Sequence, residues 1–242
     1  MAASGPCELL EWDTEFWGVP IGRVVGREVG PKVDEWASAN GIACMYFLAP
    51  SDAPEAVRAA EESGFKLVDV RVELDRPSSG DEAIAIRPAR ADDVDQLRTL
   101  AGRVHRGETR FYADPGFADE RCDELYALWI ERSVAGWADE VFVAEAELVA
   151  DSHKLVAGYV SCHADEARGR GSIGLIGVGE AARGQGVGAS LVNAAVAWSR
   201  GRGLPNVSVV TQGRNVQAQR LFQRCGFRTA AVDLWFHKWY DR

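Results

Sequence analysis

A glycine-rich segment at residues 178–188 has the residue types that can hold an anion. Three glycines at alternate positions leave the backbone N–H groups uncovered by side chains, and Arg183 adds a positive charge beside them. An amphipathic helical pattern begins at Val187. The N–H groups therefore lie at a predicted helix N-terminus, where unpaired donors and the helix dipole favour a phosphate or pyrophosphate. The same glycine spacing occurs in ordinary loops, so by itself it is a weak indication.

Two nucleotide-binding patterns that also use glycine-rich turns do not fit this segment. A dinucleotide-binding turn needs the spacing G-x-G-x-x-G in the first unit of a parallel sheet, with an acidic residue about 20 positions later. Here the third glycine comes one position too early, and no acidic residue follows before Asp233. A P-loop needs Gly-Lys-Ser/Thr, which the segment lacks. The sequence therefore indicates an anion site of another kind.

The charge distribution also points to a local anion partner. The chain has a net charge of −9, yet the stretch from Arg183 to Arg228 contains seven arginines and no aspartate or glutamate. A basic island in an acidic protein favours a phosphorylated ligand, with a solvated basic surface as the alternative. Because the chain as a whole is acidic, we do not expect it to bind nucleic acid.

Other features of the composition exclude several classes of protein. No run of about 18 apolar residues occurs and the first residues have neither a basic nor an apolar segment, so we expect no membrane span and no signal peptide. The five cysteines never form a C-x-x-C pair and the four histidines are isolated, which argues against a disulfide framework and a metal site. These features predict a cytoplasmic protein without a metal.

The order of the predicted elements indicates a mixed α/β fold. A polar, turn-rich stretch at residues 75–82 divides the chain into an amino-terminal α/β domain, residues 1–80, and a larger domain, residues 81–242. Periodicity predicts strands at 42–48, 67–74, 83–86, 141–146, 155–163, 172–178, 207–211 and 227–239, helices at 54–63, 91–104, 118–134, 187–200 and 215–224, and a loop at 108–117. Residues 60–66 also resemble residues 222–228, which fits either an internal repeat or a common helix-ending pattern.

A second set of residues follows the glycine segment, on the next predicted strand–helix unit. It reads Asn215-x-x-Ala218-x-x-Leu221-Phe222-x-x-x-Gly226-Phe227. Together with Arg183-x-x-Gly186-x-Gly188, it resembles the two-part signature of the GNAT superfamily of N-acetyltransferases, over roughly residues 84–242. The resemblance implies a GNAT fold, in which helices flank a mixed central sheet and the smaller amino-terminal domain is a degenerate half-copy. It also implies acetyl-CoA as the acyl donor.

The resemblance assigns roles by position. The backbone of Ile176 and Val178 would pair with the amide groups of pantetheine, which requires the neighbouring strands to separate. Asn215 would hydrogen-bond the pantetheine arm or the thioester region. The implied donor-binding residues are Ile176, Gly177, Val178, Arg183, Gly184, Gln185, Gly186, Val187, Gly188, Ala189, Asn215, Ala218 and Phe222.

The implied reaction is direct attack of a neutral amine on the thioester, with neither a metal nor a covalent enzyme intermediate. Phe222 departs from the family pattern, because the superfamily usually has a tyrosine there whose hydroxyl protonates the departing thiolate. Tyr159, on the adjacent strand, is the candidate replacement, and packing in the core is the alternative role for it. The candidate catalytic set is therefore Asn215, Phe222 and Tyr159.

Three aromatic segments, at residues 10–23, 109–131 and 234–239, carry a narrower resemblance. They resemble the bacterial TDP-4-amino-4,6-dideoxyhexose N-acetyltransferases, over nearly the whole chain. This implies a nucleotide-linked amino sugar as the acceptor, with Arg110 at a phosphate and with Phe111 and Tyr112 at the sugar or base. The alternative is a loop that packs on its own domain.

Two other functions stay open from the sequence. A GNAT enzyme that acts on another small amine or on a peptide N-terminus is favoured by the acidic charge outside the arginine-rich stretch, which suits a cationic acceptor. A CoA-binding protein without turnover is kept open by Phe222. The sequence also leaves a homodimer open.

Overall fold

A computed structural model describes residues 5–79, 86–147 and 154–240. The strands are β1 (Cys7–Leu9), β2 (Ile21–Val24), β3 (Cys44–Pro50), β4 (Lys66–Pro77), β5 (Ile86–Pro88), β6 (Glu140–Glu147), β7 (Lys154–Asp165), β8 (Arg170–Val178), β9 (Asn206–Gln212) and β10 (Arg228–Trp239). The helices are α1 (Glu11–Trp17), α2 (Pro31–Ala39), α3 (Pro54–Glu62), α4 (Val94–Val104), α5 (Arg110–Ala113), α6 (Asp119–Arg132), α7 (Val187–Gly201) and α8 (Val216–Arg224). A π-helical turn, Ser133–Trp137, extends α6.

The strands form one mixed sheet in the order β1-β2-β3-β10-β4-β9-β8-β7-β6-β5. Two neighbouring pairs, β2–β3 and β8–β9, are parallel, and the other pairs are antiparallel. β4 comes from the amino-terminal part of the chain, yet it lies between β10 and β9. The two parts of the chain therefore share the centre of the sheet.

Two units with the same order of elements build most of this sheet. The first is β1, β2, α2, β3, α3 and β4, and the second is β7, β8, α7, β9, α8 and β10. In each unit the last strand pairs with the third strand of the other unit. The sheet is therefore symmetric about the β10–β4 pair, and residues 60–66 and 222–228 occupy the same helix-to-strand corner in their units.

Helices cover both faces of the sheet. The face under α2, α3, α7 and α8 contains Phe47, Leu74 and Phe236 among its buried residues. The opposite face, under α1, α4, α5 and α6, is built around Tyr46 and Tyr159 and is rich in tryptophan and phenylalanine. We call the second one the aromatic face. Because side chains alternate along a strand, the odd-numbered residues 69–73 of β4 point toward it.

Most of the predicted elements correspond to observed ones, and the mixed α/β class is confirmed. The predicted loop at 108–117 contains the short helix α5, and the predicted strand at 83–86 falls mostly outside the described residues. The sequence reasoning did not predict β1, α1, β2 and α2. Strands of residues 1–80 and of residues 81–242 share one sheet. Whether the two segments fold as separate domains therefore stays a prediction. Within the described part of the chain, no helix has the length and apolar character needed to span a membrane.

Candidate active site

The parallel strands β8 and β9 separate partway along their length. They pair from Arg170↔Asn206 to Ile173↔Val209, after which β8 continues to Val178 without pairing to β9. We call the space between residues 174–178 and residues 210–212 the β8–β9 gap. The separation that the GNAT resemblance requires is therefore present in this part of the sheet.

One edge of the gap has free backbone groups. The Gly179 N–H donates to the Ala157 carbonyl at 2.8 Å, so Gly179 faces β7. Hydrogen-bonding direction alternates along an antiparallel strand, so Gly177 also faces β7, whereas Ile176 and Val178 face the gap. An extended amide chain lying in the gap can pair with these two residues as an added strand does.

The glycine-rich loop lies at the end of β8 and leads into α7. Gly184 and Gly186 have φ values of 75° and 82°, a left-handed conformation that suits glycine. Gly186 is the N-cap of α7, and the first helical bond runs from the Ser190 N–H to the Gly186 carbonyl at 3.1 Å. The N–H groups of residues 187–189 therefore have no helical partner, as an anion site at a helix N-terminus requires.

Two side chains hold this loop. Gln185 donates through Nε2 to the Ala181 carbonyl at 2.8 Å, and Arg183 donates through Nε to the Val178 carbonyl at 3.3 Å. Both side chains are exposed. The outer nitrogens of Arg183 consequently remain available to an anion beside the loop.

Asn215 and Phe222 lie on α8, on the face opposite the aromatic one. The Asn215 Oδ1 accepts the Ala218 N–H at 3.0 Å and caps α8, which leaves the side-chain amide N–H groups as donors. Phe222 is 1% exposed, and its ring lies 5.8 Å from the ring of Phe227 in a buried cluster. Phe222 is therefore a core residue as well as the occupant of the usual tyrosine position.

Tyr159 lies on β7, directly opposite Gly177, and its ring crosses β8 on the aromatic face. Its hydroxyl is 2.8 Å from Nε2 of His105. Burial lowers the pKa of His105 to about 4 and raises the pKa of Tyr159 well above its usual value. At neutral pH the hydroxyl and a neutral imidazole therefore share one hydrogen bond, and the hydroxyl gives up its proton with difficulty.

The three residues predicted to bind the acceptor differ in their surroundings. The guanidinium carbon of Arg110 lies 4.0 Å from the ring centroid of Trp235 and 4.5 Å from that of Tyr46, beneath α5. Phe111 is buried in the core, and the Tyr112 hydroxyl donates to Asp123 at 2.7 Å. Of the three, Arg110 is therefore the residue that can present a polar group to a ligand on the aromatic face of the sheet.

The charge of Arg110 acts on two carboxylates that were not predicted from the sequence. Burial raises the pKa of Asp13, on α1, and the pKa of Asp69, on β4, and the charge of Arg110 partly opposes both shifts. The Arg110 Nη1 atom is buried without a hydrogen-bond partner among the described residues. Since buried charged groups normally have partners, this nitrogen points to a ligand or water that joins the group.

A chain of ion pairs crosses the aromatic face beside the gap. Arg71 bonds Asp233 at 2.8 Å and Glu73 at 2.9 Å, and Glu73 bonds Arg170 at 2.8 Å. Burial opposes the ionisation of Glu73, but the two arginines outweigh it and lower the pKa of Glu73 below its usual value. The chain links β10 and β4 to the start of β8, the strand on one side of the gap.

One group of potential metal ligands occurs in the described residues. Cys44, Asp114 and His237 have side-chain atoms within 4.8 Å of one another, and all three are buried. The Asp114 carboxylate already accepts bonds from the Gly116 N–H, from His237 Nδ1 and from Trp239 Nε1. We assign this group a structural role, because it joins the end of α5 to β10.

Comparison with known proteins identifies the family. A model of the Acetyltransferase (GNAT) family matches residues 105–227, about half of the chain. The chain belongs to this family. It is also 28% identical to a dTDP-fucosamine acetyltransferase from Escherichia coli O6:H1 over 98% of this chain and 100% of that protein.

Two further matches are with a second curated acetyltransferase and with a solved structure. The chain is 28% identical to a mycothiol acetyltransferase from Nocardia farcinica, over 86% of this chain and 69% of that protein. A solved structure, the GCN5-related N-acetyltransferase from Sphaerobacter thermophilus, matches with a TM-score of 0.61 at 16% identity, covering 96% of this chain and 76% of that one. The GNAT fold predicted from the motifs is therefore confirmed.

This GNAT acetyltransferase is an acyl-CoA-dependent N-acetyltransferase, and the family's acyl donor is acetyl-CoA. The residues present fit that donor. The Ile176 backbone and the Val178 N–H, which face the gap, suit the amides of pantetheine, and the loop at 183–189 suits a diphosphate; the Val178 carbonyl is already bonded by Arg183. The donor supplies an acetyl group activated as a thioester. The individual residue assignments stay predictions.

Proposed function

We propose that this acetyltransferase moves the acetyl group of acetyl-CoA to the primary amine of a nucleotide-linked amino sugar. The observation that carries the proposal is the likeness to dTDP-fucosamine acetyltransferase over 98% of this chain and the whole of that protein. The likeness includes the amino-terminal unit, which supplies Asp13, Tyr46 and Asp69 around Arg110. The part of the chain outside the family match thus takes part in the candidate acceptor site.

The chemistry around Arg110 supports a sugar derivative. A sugar hydroxyl both donates and accepts hydrogen bonds, so it can bridge a carboxylate and a guanidinium that do not bond each other directly. Arg110 lies near Asp13 and Asp69 in this way. The same guanidinium can bind a phosphate oxygen of the nucleotide, for which its planar fork is suited.

The two sides of the gap have different roles in the proposed reaction. The glycine loop and α7 hold the donor's diphosphate, and the free backbone of Ile176 and Val178 orients the pantetheine arm. The acceptor lies on the aromatic face between α5 and β4, so its amine approaches the thioester from that side. Holding both reactants in this way lowers the barrier chiefly by orientation.

A second candidate acceptor follows from another observation. The likeness to mycothiol acetyltransferases covers 86% of this chain, so the family comparison supports more than one acceptor. Asp13 and Asp69 would also attract a cationic small amine that carries no phosphate. The acceptor assay described next separates the two candidates.

The proposal is tested by thiol release from acetyl-CoA with a panel of amines, with product identified by mass spectrometry. The panel holds a TDP-4-amino-4,6-dideoxyhexose, unphosphorylated amino sugars, an aminoglycoside and a peptide N-terminus. We expect the nucleotide sugar to give the highest kcat/KM. Arg110→Gln should raise its KM by about 10-fold or more, because a charge-assisted contact is lost. Arg106→Gln, near α5 but paired with Asp123 on the surface, is the matched control.

Two results would contradict the proposal. Faster turnover of an amine without phosphate would favour the second candidate. Binding of acetyl-CoA without turnover of any amine in the panel would support a CoA-binding protein that is not a catalyst, the reading that Phe222 keeps open.

A further inference from the structure

Asp69 lies where an acceptor amine would reach the β8–β9 gap. The last pair between β4 and β9 joins Arg71 to Gln212, so Asp69 lies just beyond the end of β9, where the gap is widest. Its direct partner on β10 is Trp235, whose ring is stacked against Arg110. The Asp69 side chain thus shares the aromatic face with the candidate acceptor site.

The contacts of Asp69 leave one carboxylate oxygen without a partner. The side chain is 3% exposed, and Oδ1 accepts the Val70 N–H at 2.9 Å and lies 3.5 Å from Arg214 Nε. Oδ2 receives no hydrogen bond from the described residues, and it is not among their fully enclosed unpartnered atoms. A nearly buried carboxylate with one open oxygen calls for a donor from a ligand or from water.

Two of the neighbouring carboxylates on the same face, Glu73 and Asp114, are saturated. Glu73 accepts an arginine N–H on each of its oxygens, from Arg170 and from Arg71. Asp114 accepts bonds from three donors. The Tyr159 hydroxyl and His105 are bonded to each other. Asp13 and Asp233 also have open oxygens but are only half-buried, so Asp69 is distinguished in this region by an open oxygen on a nearly buried carboxylate.

We propose that Asp69 is a catalytic residue, whose Oδ2 binds the attacking amine of the acceptor and takes up its proton. This rests on the proposed function, since it requires an amine acceptor. As the amine nitrogen forms its bond to the thioester carbon, the C–S bond breaks and sulfur keeps the electron pair. The N–H proton passes to Oδ2, and exchange with water then returns Asp69 to the carboxylate and protonates the thiolate.

Two arginines and a tyrosine hydroxyl face Asp69. Arg214 approaches from the turn between β9 and α8, Arg110 from α5, and the Tyr126 hydroxyl from α6. Burial raises the pKa of Asp69, and Arg214 and then Arg110 oppose that shift. The carboxylate is therefore more basic than an exposed aspartate, which favours proton uptake from an amine that is losing its proton.

The test compares Asp69→Asn with Asp75→Asn, an exposed aspartate on the same strand. We expect Asp69→Asn to lower kcat for the TDP-amino sugar by about 100-fold or more and to remove the acidic limb of the kcat/KM profile. Its calorimetric affinity for acetyl-CoA should stay unchanged. Its affinity for the nucleotide sugar should fall, but its affinity for the analogue with a hydrogen in place of the amine, which has no donor for Oδ2, should not.

A second variant, Arg214→Gln, should shift the pH profile of the reaction, which a purely structural role of Asp69 would not do. Removing the cation that lowers the pKa of Asp69 should move the acidic limb to higher pH at saturating acetyl-CoA. An unchanged limb in Arg214→Gln, or a kcat for Asp69→Asn within about 3-fold of the wild type, would overturn the assignment of Asp69. If the wild type acetylates no amine at all, the proposed function fails and the assignment fails with it.

Discussion

Gly186 combines a left-handed φ of 82° with the N-cap position of α7. A valine there would place a branched side chain where the diphosphate must contact backbone. We expect Gly186→Val to weaken acetyl-CoA binding by about 2 kcal/mol or more, because several charge-assisted hydrogen bonds lengthen together. Isothermal titration calorimetry with acetyl-CoA measures the effect.

Gly203 offers a matched control for the strain at Gly186. Its φ is 72° and no neighbouring atom lies within 4 Å of an added Cβ, but it follows the far end of α7. Gly203→Val should therefore share the backbone strain and keep its acetyl-CoA affinity. Equal affinity in folded Gly186→Val and wild type would remove the diphosphate assignment.

Phe222 raises the question of how the thiolate leaves without the usual tyrosine. A thiolate is a good leaving group, with a pKa near about 8.5 if cysteine is the guide, so an acid has little to contribute. We expect Phe222→Tyr to change kcat by less than about 10-fold. Phe222→Ala should cost about 3–5 kcal/mol of stability, because the ring is buried in the core. Steady-state kinetics and urea unfolding provide the two measurements.

Tyr159→Phe completes this comparison. The Tyr159 hydroxyl is already hydrogen-bonded to His105, and burial raises its pKa, so we expect kcat to stay within about 10-fold of the wild type. A collapse of kcat with intact acetyl-CoA binding would instead make Tyr159 the relocated acid. A large gain of kcat in Phe222→Tyr would show that proton transfer to sulfur limits the natural protein.

At the scale of elements, the ion pairs of Glu73 join β4 to β8, the strand on one side of the gap. We expect Glu73→Gln to cost about 1–3 kcal/mol at neutral pH, since bonds to two arginines are weakened. Because folding lowers the pKa of Glu73, its contribution is fully present above the usual pKa of 4.5 and is lost as the pH falls through the lower folded value.

Urea unfolding at pH 7 and at pH 3 checks this prediction. The difference between wild type and Glu73→Gln should shrink at the lower pH, whereas Glu62→Gln, on the exposed surface of α3, should show no difference at either pH. A difference that stays constant with pH would mean that the ion pairs do not provide the stabilisation.

The elements that sequence reasoning predicted are those with strong local signals. α7 and α8 have clear apolar stripes, and Asn215 gives α8 a side-chain cap. The missed helices lack such signals: α1 has seven residues, and neither α1 nor α2 has a side-chain cap at its N-terminus. The donor loop was predictable because its glycines lie within a few residues of one another in sequence.

At the scale of the whole molecule, the amino-terminal part supplies the centre of the sheet. β4 lies between β9 and β10, and α1 packs against α6 through Trp12 and Trp129. We expect residues 82–242 expressed alone to aggregate or to melt far below the full chain, because one edge of β9, both edges of β10 and an aromatic surface become exposed. Size-exclusion chromatography and thermal melting measure this. A soluble, fully active fragment would refute the prediction.

The acceptor side was not predictable because it assembles from distant segments. Asp13, Tyr46, Asp69, Arg110 and Trp235 come together through pairing of β3 and β4 with β10 and through packing of α1 and α5. None of these residues belongs to a recognisable local motif, and the pairing of strands that are far apart in sequence cannot be predicted from local sequence patterns. Arg110 was identified from the aromatic segment around it, whereas Asp69 stood inside a strand pattern that indicated only packing.

The most direct test is a crystal structure of the full chain with CoA and a TDP-4-amino-4,6-dideoxyhexose. The account predicts pantetheine amides within about 2.7–3.2 Å of the backbone of Ile176 and Val178, and a diphosphate at the N–H groups of residues 187–189. It also predicts the sugar amine on the aromatic face, directed at the sulfur. CoA bound outside the β8–β9 gap, or a sugar on the face covered by α7 and α8, would contradict it.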